Sequence, residues 1–454
     1  MGRGKNQNLN FIDLFCGAGG LSRGLEMSGF RCILGVDNDK AAVATFERNH
    51  PHADAYLGDI SDFSNYKFKK IAGKQKIHLI CGGPPCQGLS TVGEGIPDDP
   101  RNFLFLEFLR AVTSVKPDFV VIENVTGLLS RKNAKITVGI IKQFAKFGYN
   151  MSVRVLSADR FGVPQKRRRT IFIGNRIGIE NIFPEPTHSK KPRTVIDAIS
   201  NLKSFDGLQH NHDVVAAHIP SEIEKQRIMH VPEGKSVRYE KDEIEFLPPK
   251  LRFDVDWKKV DEGRFREKKL NRLHRKKPSP TIMTGRHTYY HPTKPRYLTA
   301  REAAAIQSFP NEFVFEGSIS QQWRQIGNAV PPKLAEAVAI EIKKEIYDRI
   351  YYILRASGIE MGKVEEYLPI IYKFRMKGLG RSKDIAKFKE TLAEAKQKYT
   401  SWSITAKENK VTTLDKTMKG IGFRITVAYF YGSKWKLDFS VNYIYCIGRF
   451  YKRS

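Results

Sequence analysis

The chain has 454 residues, 41% hydrophobic and 28% charged, with a net charge of +29. That length and balance suit a soluble globular protein of two to four domains and exclude a disordered chain. The charge calls for a polyanionic partner, nucleic acid first and a membrane surface second, but no apolar run reaches spanning length.

The elements follow in chain order. "LNFIDLF" reads as a strand, and "GLSRGLEMSGF" as a helix after a glycine turn. "RCILGVD" and "DKAAVATFERNH" repeat that pairing. A third apolar strand precedes "LGDI". "KIHLICGG" and "DFVVIENV" are buried strands, separated by the helical spacing of "NFLFLEFLRAVTSV". "ITVGIIKQFAKFGY" is a helix, and "NMSVRVLSA" and "RRTIFIGNR" close the series as strands. Strands alternating with helices predict an α/β fold, a Rossmann-like doubly wound and mostly parallel sheet.

Around Arg176 the pattern stops. Up to about Pro292 the chain is rich in Pro, His, Lys and Arg, as in "FREKKLNRLHRKKPSP" and "GRHTYYHP". Basic groups beside aromatic and histidine side chains suit a surface facing nucleic acid. Regularity returns at "LTAREAAAIQSFP", where Thr299 and Glu302 form a capping box. "IGNAVPPKLAEAVAIEIKKEIYDRI" gives a turn, two prolines and a long amphipathic helix. The resulting division is 1–176, 177–292, 293–349 and a C-terminal α+β extension, 350–454. In that extension, "SKDIAKFKETLAEAKQKY" predicts a helix, and a hairpin is expected around Gly432 and Ser433.

Five cysteines, with no Cys-x-x-Cys pair and no zinc spacing, argue against a disulfide framework and a metal site, and fit a reducing cytoplasm. The amino terminus lacks the apolar stretch of a signal peptide.

Three stretches carry chemistry. "FIDLFCGAGGLSRGL" is strand, glycine-rich turn and helix, neither a phosphate loop nor G-x-G-x-x-G. Asp37 ends the next strand, where Rossmann-like folds bind ribose hydroxyls, and Asp59 could face an adenine. "GGPPCQGLS" places Cys86 just past the carboxyl end of a strand, and "IENV" places Glu123 at another such edge. Arg167, Arg168 and Arg169 precede a further strand. A thiol, a carboxylate and guanidinium groups on one rim support nucleophilic addition to an electron-poor ring. Cys81, inside its strand, reads as core.

"DLFCGAGGLS", "GGPPCQGLS", "IENV", "QKRRRTIFIG", "LTAREAAAIQSFP" and "QIGNAVPP" together resemble the ordered motifs of the DNA (cytosine-5)-methyltransferases, over about Asn10 to Ile346. That resemblance implies S-adenosylmethionine as cofactor and S-adenosylhomocysteine as product. Phe15, Gly17, Ala18, Gly19 and Leu21 would cradle the cofactor. Asp37, where the family more often has glutamate, would hold the ribose with Asn38 beside it. Asp59 and Ile60 would meet the adenine, and Pro85, Leu104, Asn328 and Val330 would complete the pocket. Cys86 would attack C6 of a flipped cytosine, Glu123 would engage its N3 and amino group, and Arg167 and Arg169 would support the site. The segment Ser90–Asn102 would close as a lid.

By position, the basic segment matches the family's target-recognition region. Ser90, Val92, Arg101, Arg272, His274, Arg275, Arg286, His287 and Tyr289 are the expected contacts to double-stranded DNA. The chain looks like a bacterial modification enzyme, monomeric, cytoplasmic and nucleoid-associated, partnered functionally by a restriction endonuclease without a stable complex. Three alternatives compete. A dehydrogenase would want G-x-G-x-x-G. A tRNA cytosine methyltransferase would carry a Cys-Phe-Thr signature, yet no cysteine stands between Cys86 and Cys446. A non-catalytic regulator would not need the thiol and the glutamate together.

Overall fold

The computed structural model describes residues 9–84, 100–203, 208–210, 212–255, 257, 269–356, 428–431 and 434–437. Its centre is a seven-stranded sheet in the order β3-β2-β1-β4-β5-β7-β6. The strands are β1 (Leu9–Leu14), β2 (Phe30–Asp37), β3 (Asp54–Leu57), β4 (Leu79–Gly82), β5 (Phe119–Val125), β6 (Asn150–Ser157) and β7 (Arg168–Asn175). Neighbours from β3 through β5 pair in parallel, whereas β7 runs antiparallel between β5 and β6. The mostly parallel sheet expected from the sequence is present, with one reversed strand.

Both faces of the sheet are covered, which explains the near-continuous apolar runs of its strands. In β1, Leu9 and Phe11 join one core while Ile12 and Leu14 join the other, as the two-residue side-chain period requires. The first core is closed by α1 (Gly20–Met27) and α11 (Pro332–Ala356) through Leu25, Leu334, Val338 and Ile342. The two helices touch because Gly24 has no side chain: a Cβ there would lie 2.3 Å from the Pro332 carbonyl oxygen. The opposite core contains Phe68 of α3 (Asn65–Lys74), Phe105 and Phe108 of α4 (Pro100–Val115) and Phe144 of α5 (Ala134–Lys146). The remaining sheet helix, α2 (Lys40–Asn49), starts on Asp39, whose carboxylate caps the backbone N–H groups of Ala41 and Ala42.

Past residue 176 the chain still feeds the sheet core through Ile177, Ile179 and Phe183. The short α6 (Val195–Ile199) then packs with α9 (Ala300–Ile306) and α10 (Ile319–Asn328) around Trp323. The capping box of Thr299 and Glu302 opens α9, as the sequence predicts. A separate small core, including Ile228 of α7 (Glu222–His230) and Leu247 just after α8 (Glu240–Phe246), holds the basic segment together. Between α6 and α7 lies a two-residue hairpin pair, β8 (Leu208–Gln209) and β9 (His212–Asp213). Of the extension, β10 (Ala428–Tyr431) and β11 (Lys434–Leu437) form the antiparallel pair predicted around Gly432 and Ser433. The predicted helix at 382–399 lies outside the described residues.

Candidate active site

The chain leaves β1 for β2 on one side of the sheet, and β4 and β5 lie on the other. A crevice opens where strand order reverses, at the carboxyl ends of the strands. Here it is a cleft of about 530 Å³. Its first wall is the turn after β1. Phe15, Gly17 and Gly19 all have left-handed backbone, with φ of 60°, 53° and 88°. That sequence of dihedrals folds the chain back so that the Gly19 N–H donates to the Cys16 carbonyl at 2.9 Å, and α1 begins at the next residue.

Asp37 stabilises this turn. One carboxylate oxygen accepts from the Gly17 N–H at 2.8 Å, and the other accepts from the Asp39 N–H at 2.9 Å. Burial lifts its pKa above the ordinary range while these bonds pull it down. Asp59 accepts from the Ser61 N–H at 2.8 Å, which holds its carboxyl below the usual range. Asp13, unremarked in the sequence, also lines the cleft. It is 1% exposed and accepts from the Ser22 hydroxyl at 2.6 Å. Burial pushes its pKa up to about 7.

At the far end stands Glu123, on β5. Its carboxylate pairs with the Arg169 Nε of β7 at 2.7 Å. The strand period explains the arginine triplet: Arg169 and Glu123 share one face of the sheet, and Arg168 between its neighbours is exposed. Arg167 is 1% exposed and donates to the carbonyls of Ile282 and Asn328 at 3.4 and 3.3 Å. Burial lowers its pKa to about 9. Burial raises the Glu123 carboxyl, and the two arginines draw it back. The approach to Cys86 is anchored here: the Asn124 amide donates to the Pro84 carbonyl at 3.0 Å, and a Cβ on Gly83 would lie 3.2 Å from a Glu123 oxygen.

One cleft thus brings together Phe15, Gly17, Ala18, Leu21, Asp37, Asn38, Asp59, Ile60, Leu104, Glu123, Arg167, Arg169, Asn328 and Val330. Gly19 lies just behind it, against the His50 ring. Pro85, Cys86, Ser90 and Val92 lie outside the described residues, as does the side chain of Arg101. Beyond Asp13, sequence reading missed Arg324 and Gln325, which line the same cleft from α10. Arg324 pairs with Asp39 at 2.6 Å.

Two expected DNA contacts need correction. Arg272 is 8% exposed, and its guanidinium donates to the carbonyls of Pro292, Ile228, Met229 and Val231. It braces the basic segment from within. Tyr289 is buried, and its hydroxyl donates to the Thr281 carbonyl. Composition does not separate a basic or aromatic side chain on the surface from one that struts the interior. His274 is half-buried. Arg275, Arg286 and His287 are exposed, with Arg275 paired to Glu233 at 2.7 Å through Nε. No group of three His, Cys, Asp or Glu that could hold a metal occurs among the described residues.

A glycine turn bonded to the carboxylate of Asp37, at the switch point of a mostly parallel sheet, is the arrangement of a nucleoside-cofactor enzyme of the Rossmann-like class. The carboxylates of Asp37 and Asp59 stand in the cleft's wall away from the Glu123–Arg169 pair, where a cofactor carrying positive charge, as a sulfonium does, would meet acceptors. The family model for C-5 cytosine-specific DNA methylases matches residues 9–344, and the chain belongs to that family. Type II methyltransferase M1.HphI of Haemophilus parahaemolyticus is 37% identical over 344 residues, covering 74% of this chain and 87% of that protein. M.XorII of Xanthomonas oryzae is 34% identical over 368 residues, covering 74% and 84%. A solved Escherichia coli prophage protein, described as a DNA modification methyltransferase, superposes with a TM-score of 0.57 at 26% identity. It covers 75% of this chain and 99% of that structure. S-adenosylmethionine is the methyl donor, and the cleft residues fit it.

Proposed function

We propose that the chain methylates C5 of one cytosine within a specific short sequence of double-stranded DNA, through a flipped base and a transient bond from Cys86 to C6. The observation that carries this reading is the Glu123–Arg169 pair, with Arg167 beside it, at one end of the cofactor cleft. A stacked base hides C6, so the cytosine has to leave the duplex to reach them.

The Cys86 thiolate forms the S–C6 bond, and the C5=C6 pair shifts to C5. Glu123 holds a proton toward N3, which its raised pKa favours, and so disperses the developing negative charge. Arg169 keeps the Glu123 carboxyl aimed, and Arg167 adds positive charge near it. S-adenosylmethionine held by the turn after β1 and by Asp37 would supply the methyl group for C5, its S–CH3 bond breaking with the pair left on sulfur as S-adenosylhomocysteine. A solvent base then removes the C5 proton, and the C6–S bond breaks with its pair returning to sulfur.

His274, Arg275, Arg286 and His287 are the DNA-facing groups that remain, and Ser90, Val92 and Arg101 are assigned there by resemblance. The partner is a restriction endonuclease acting on the same sequence without a stable complex. The enzyme works as a monomer on the bacterial nucleoid. No helix among the described residues is long and apolar enough to cross a membrane.

DNA carrying 5-fluorocytosine at the target tests the covalent step, because fluorine does not leave C5 as a proton does. Wild type with cofactor should yield a denaturant-stable protein–DNA complex, and Cys86→Ser should yield none. Full methylation by Cys86→Ser would refute the thiol's role.

A further inference from the structure

Two side-chain bridges join the recognition segment to the cofactor cleft, and both grip the same residue. Gln165 is fully buried, and its Oε1 accepts from the Ile282 N–H at 2.8 Å. Its Nε2 donates to Gln307 Oε1 at 2.9 Å, and Gln307 Nε2 donates to the Ile326 carbonyl at 2.6 Å. A backbone donor at one end and a backbone acceptor at the other fix the direction of both amides. The second bridge is Arg167, which holds the Ile282 carbonyl and the Asn328 carbonyl.

The carbonyls of Ile326 and Asn328 are free to accept because they sit in the last turn of α10. For Asn328 the residue four positions on is Pro332, which carries no N–H to satisfy it. Between these two anchors lies Gly327. A Cβ on it would stand 2.6 Å from the Met283 carbonyl carbon and 2.7 Å from the Thr284 nitrogen. The Met283–Thr284 peptide is therefore laid directly on the end of α10. From there the chain turns outward, and Met283 through His287 are all exposed, Met283 at 53%. Asn328, one residue past Gly327, lines the cofactor cleft.

We propose that Gln165 and Gln307 are positioning residues that register the Met283–His287 loop onto the cofactor cleft, so that cofactor binding and DNA binding strengthen one another. Ile282 is held at both its N–H and its C=O, tightly by the glutamine bridge at 2.8, 2.9 and 2.6 Å and more loosely by Arg167 at 3.4 and 3.3 Å. A ligand that fixes the end of α10 at Asn328 therefore fixes the root of the loop. Buried amides whose oxygen and nitrogen are both bonded resist any other arrangement, since a shift would strand a buried donor or acceptor. The inference rests on the reading that this loop faces DNA.

The test is a binding cycle on the full chain, with S-adenosylhomocysteine as cofactor ligand and a duplex containing the methylated sequence as the other. In wild type, S-adenosylhomocysteine should tighten DNA binding by at least about fivefold, and DNA should tighten S-adenosylhomocysteine by the same factor. Gln307→Leu, which leaves the longer Arg167 bridge in place, should lower that factor by about half or more and leave S-adenosylhomocysteine affinity without DNA unchanged. Gln165→Met, which removes the bond to Ile282 with little change of volume, should do the same if Gln307→Leu folds poorly. Wild type without coupling, or either variant with full coupling, overturns the proposal. Arg286→Ala separates the premise from the clamp. Weakened DNA binding in Arg286→Ala supports the loop's place on DNA, whereas unchanged DNA affinity overturns that reading and the inference with it.

Discussion

Replacing Asp37 by asparagine changes few atoms and should cost the cofactor site much of its affinity. Each carboxylate oxygen already accepts one backbone N–H, from Gly17 in the turn and from Asp39 at the start of α2. Each keeps a second lone pair, which a ribose hydroxyl can use. An amide has one oxygen, so in Asp37→Asn the NH2 group must face one of those two N–H donors. A hydrogen bond to a charged acceptor contributes about 1.5–3 kcal/mol, and tenfold in affinity is 1.4 kcal/mol. S-adenosylhomocysteine should therefore bind about 10- to 150-fold more weakly, read by isothermal titration calorimetry. Asp37→Glu, which keeps both acceptors on a longer arm, should lose less than Asp37→Asn. Binding by Asp37→Asn within about threefold of wild type would refute the argument, because neither the turn nor the ribose would then depend on the charge.

Gly24→Ala should separate α1 from α11, since its Cβ would lie 2.4 Å from that of Ala335. Denaturant unfolding should show a loss of about 1–3 kcal/mol, typical of overpacking. Arg272→Met strands four backbone carbonyls, and should destabilise the recognition segment by about 3 kcal/mol or more while S-adenosylhomocysteine affinity holds. Limited proteolysis would report it, and lost DNA binding with unchanged proteolysis would instead put Arg272 on the DNA. Asp13 carries a pH signature. Its folded pKa, about 7, lies above the ordinary 3.8, so the folded state binds the extra proton. Stability should fall as pH rises from about 4 to 7, by roughly 4 kcal/mol from this group. Asp13→Asn should match wild type near pH ~3.5, below the unfolded pKa, and unfold at a higher denaturant concentration at pH ~8; a gap that does not grow with pH contradicts the assignment.

The sheet was legible in the sequence because buried parallel strands are written as apolar runs. "FIDLF", "CILGVD" and "FVVIEN" name their own edges, and the chemistry sits where those runs stop. Reversal of β7 was not legible, since an antiparallel central strand is as apolar as a parallel one. Asp13 was hidden for a related reason. An acid inside an apolar strand looks like an interruption until the fold places Ser22 and Cys81 against it. Gln165 and Gln307 stand 142 residues apart, and no local pattern announces their bond. Arg272 shows the converse limit: Arg275, three residues on in the same basic run, is exposed and His274 is half-buried, yet the Arg272 side chain turns inward onto backbone carbonyls.

The central claim is tested most directly by incubating the protein with unmethylated random-sequence plasmid and S-adenosylmethionine. Nucleoside mass spectrometry should find 5-methylcytosine, and bisulfite sequencing should place it at one cytosine of one short sequence. Unmethylated DNA from cofactor-saturated protein, or methyl groups on exocyclic nitrogens of cytosine or adenine, would contradict it.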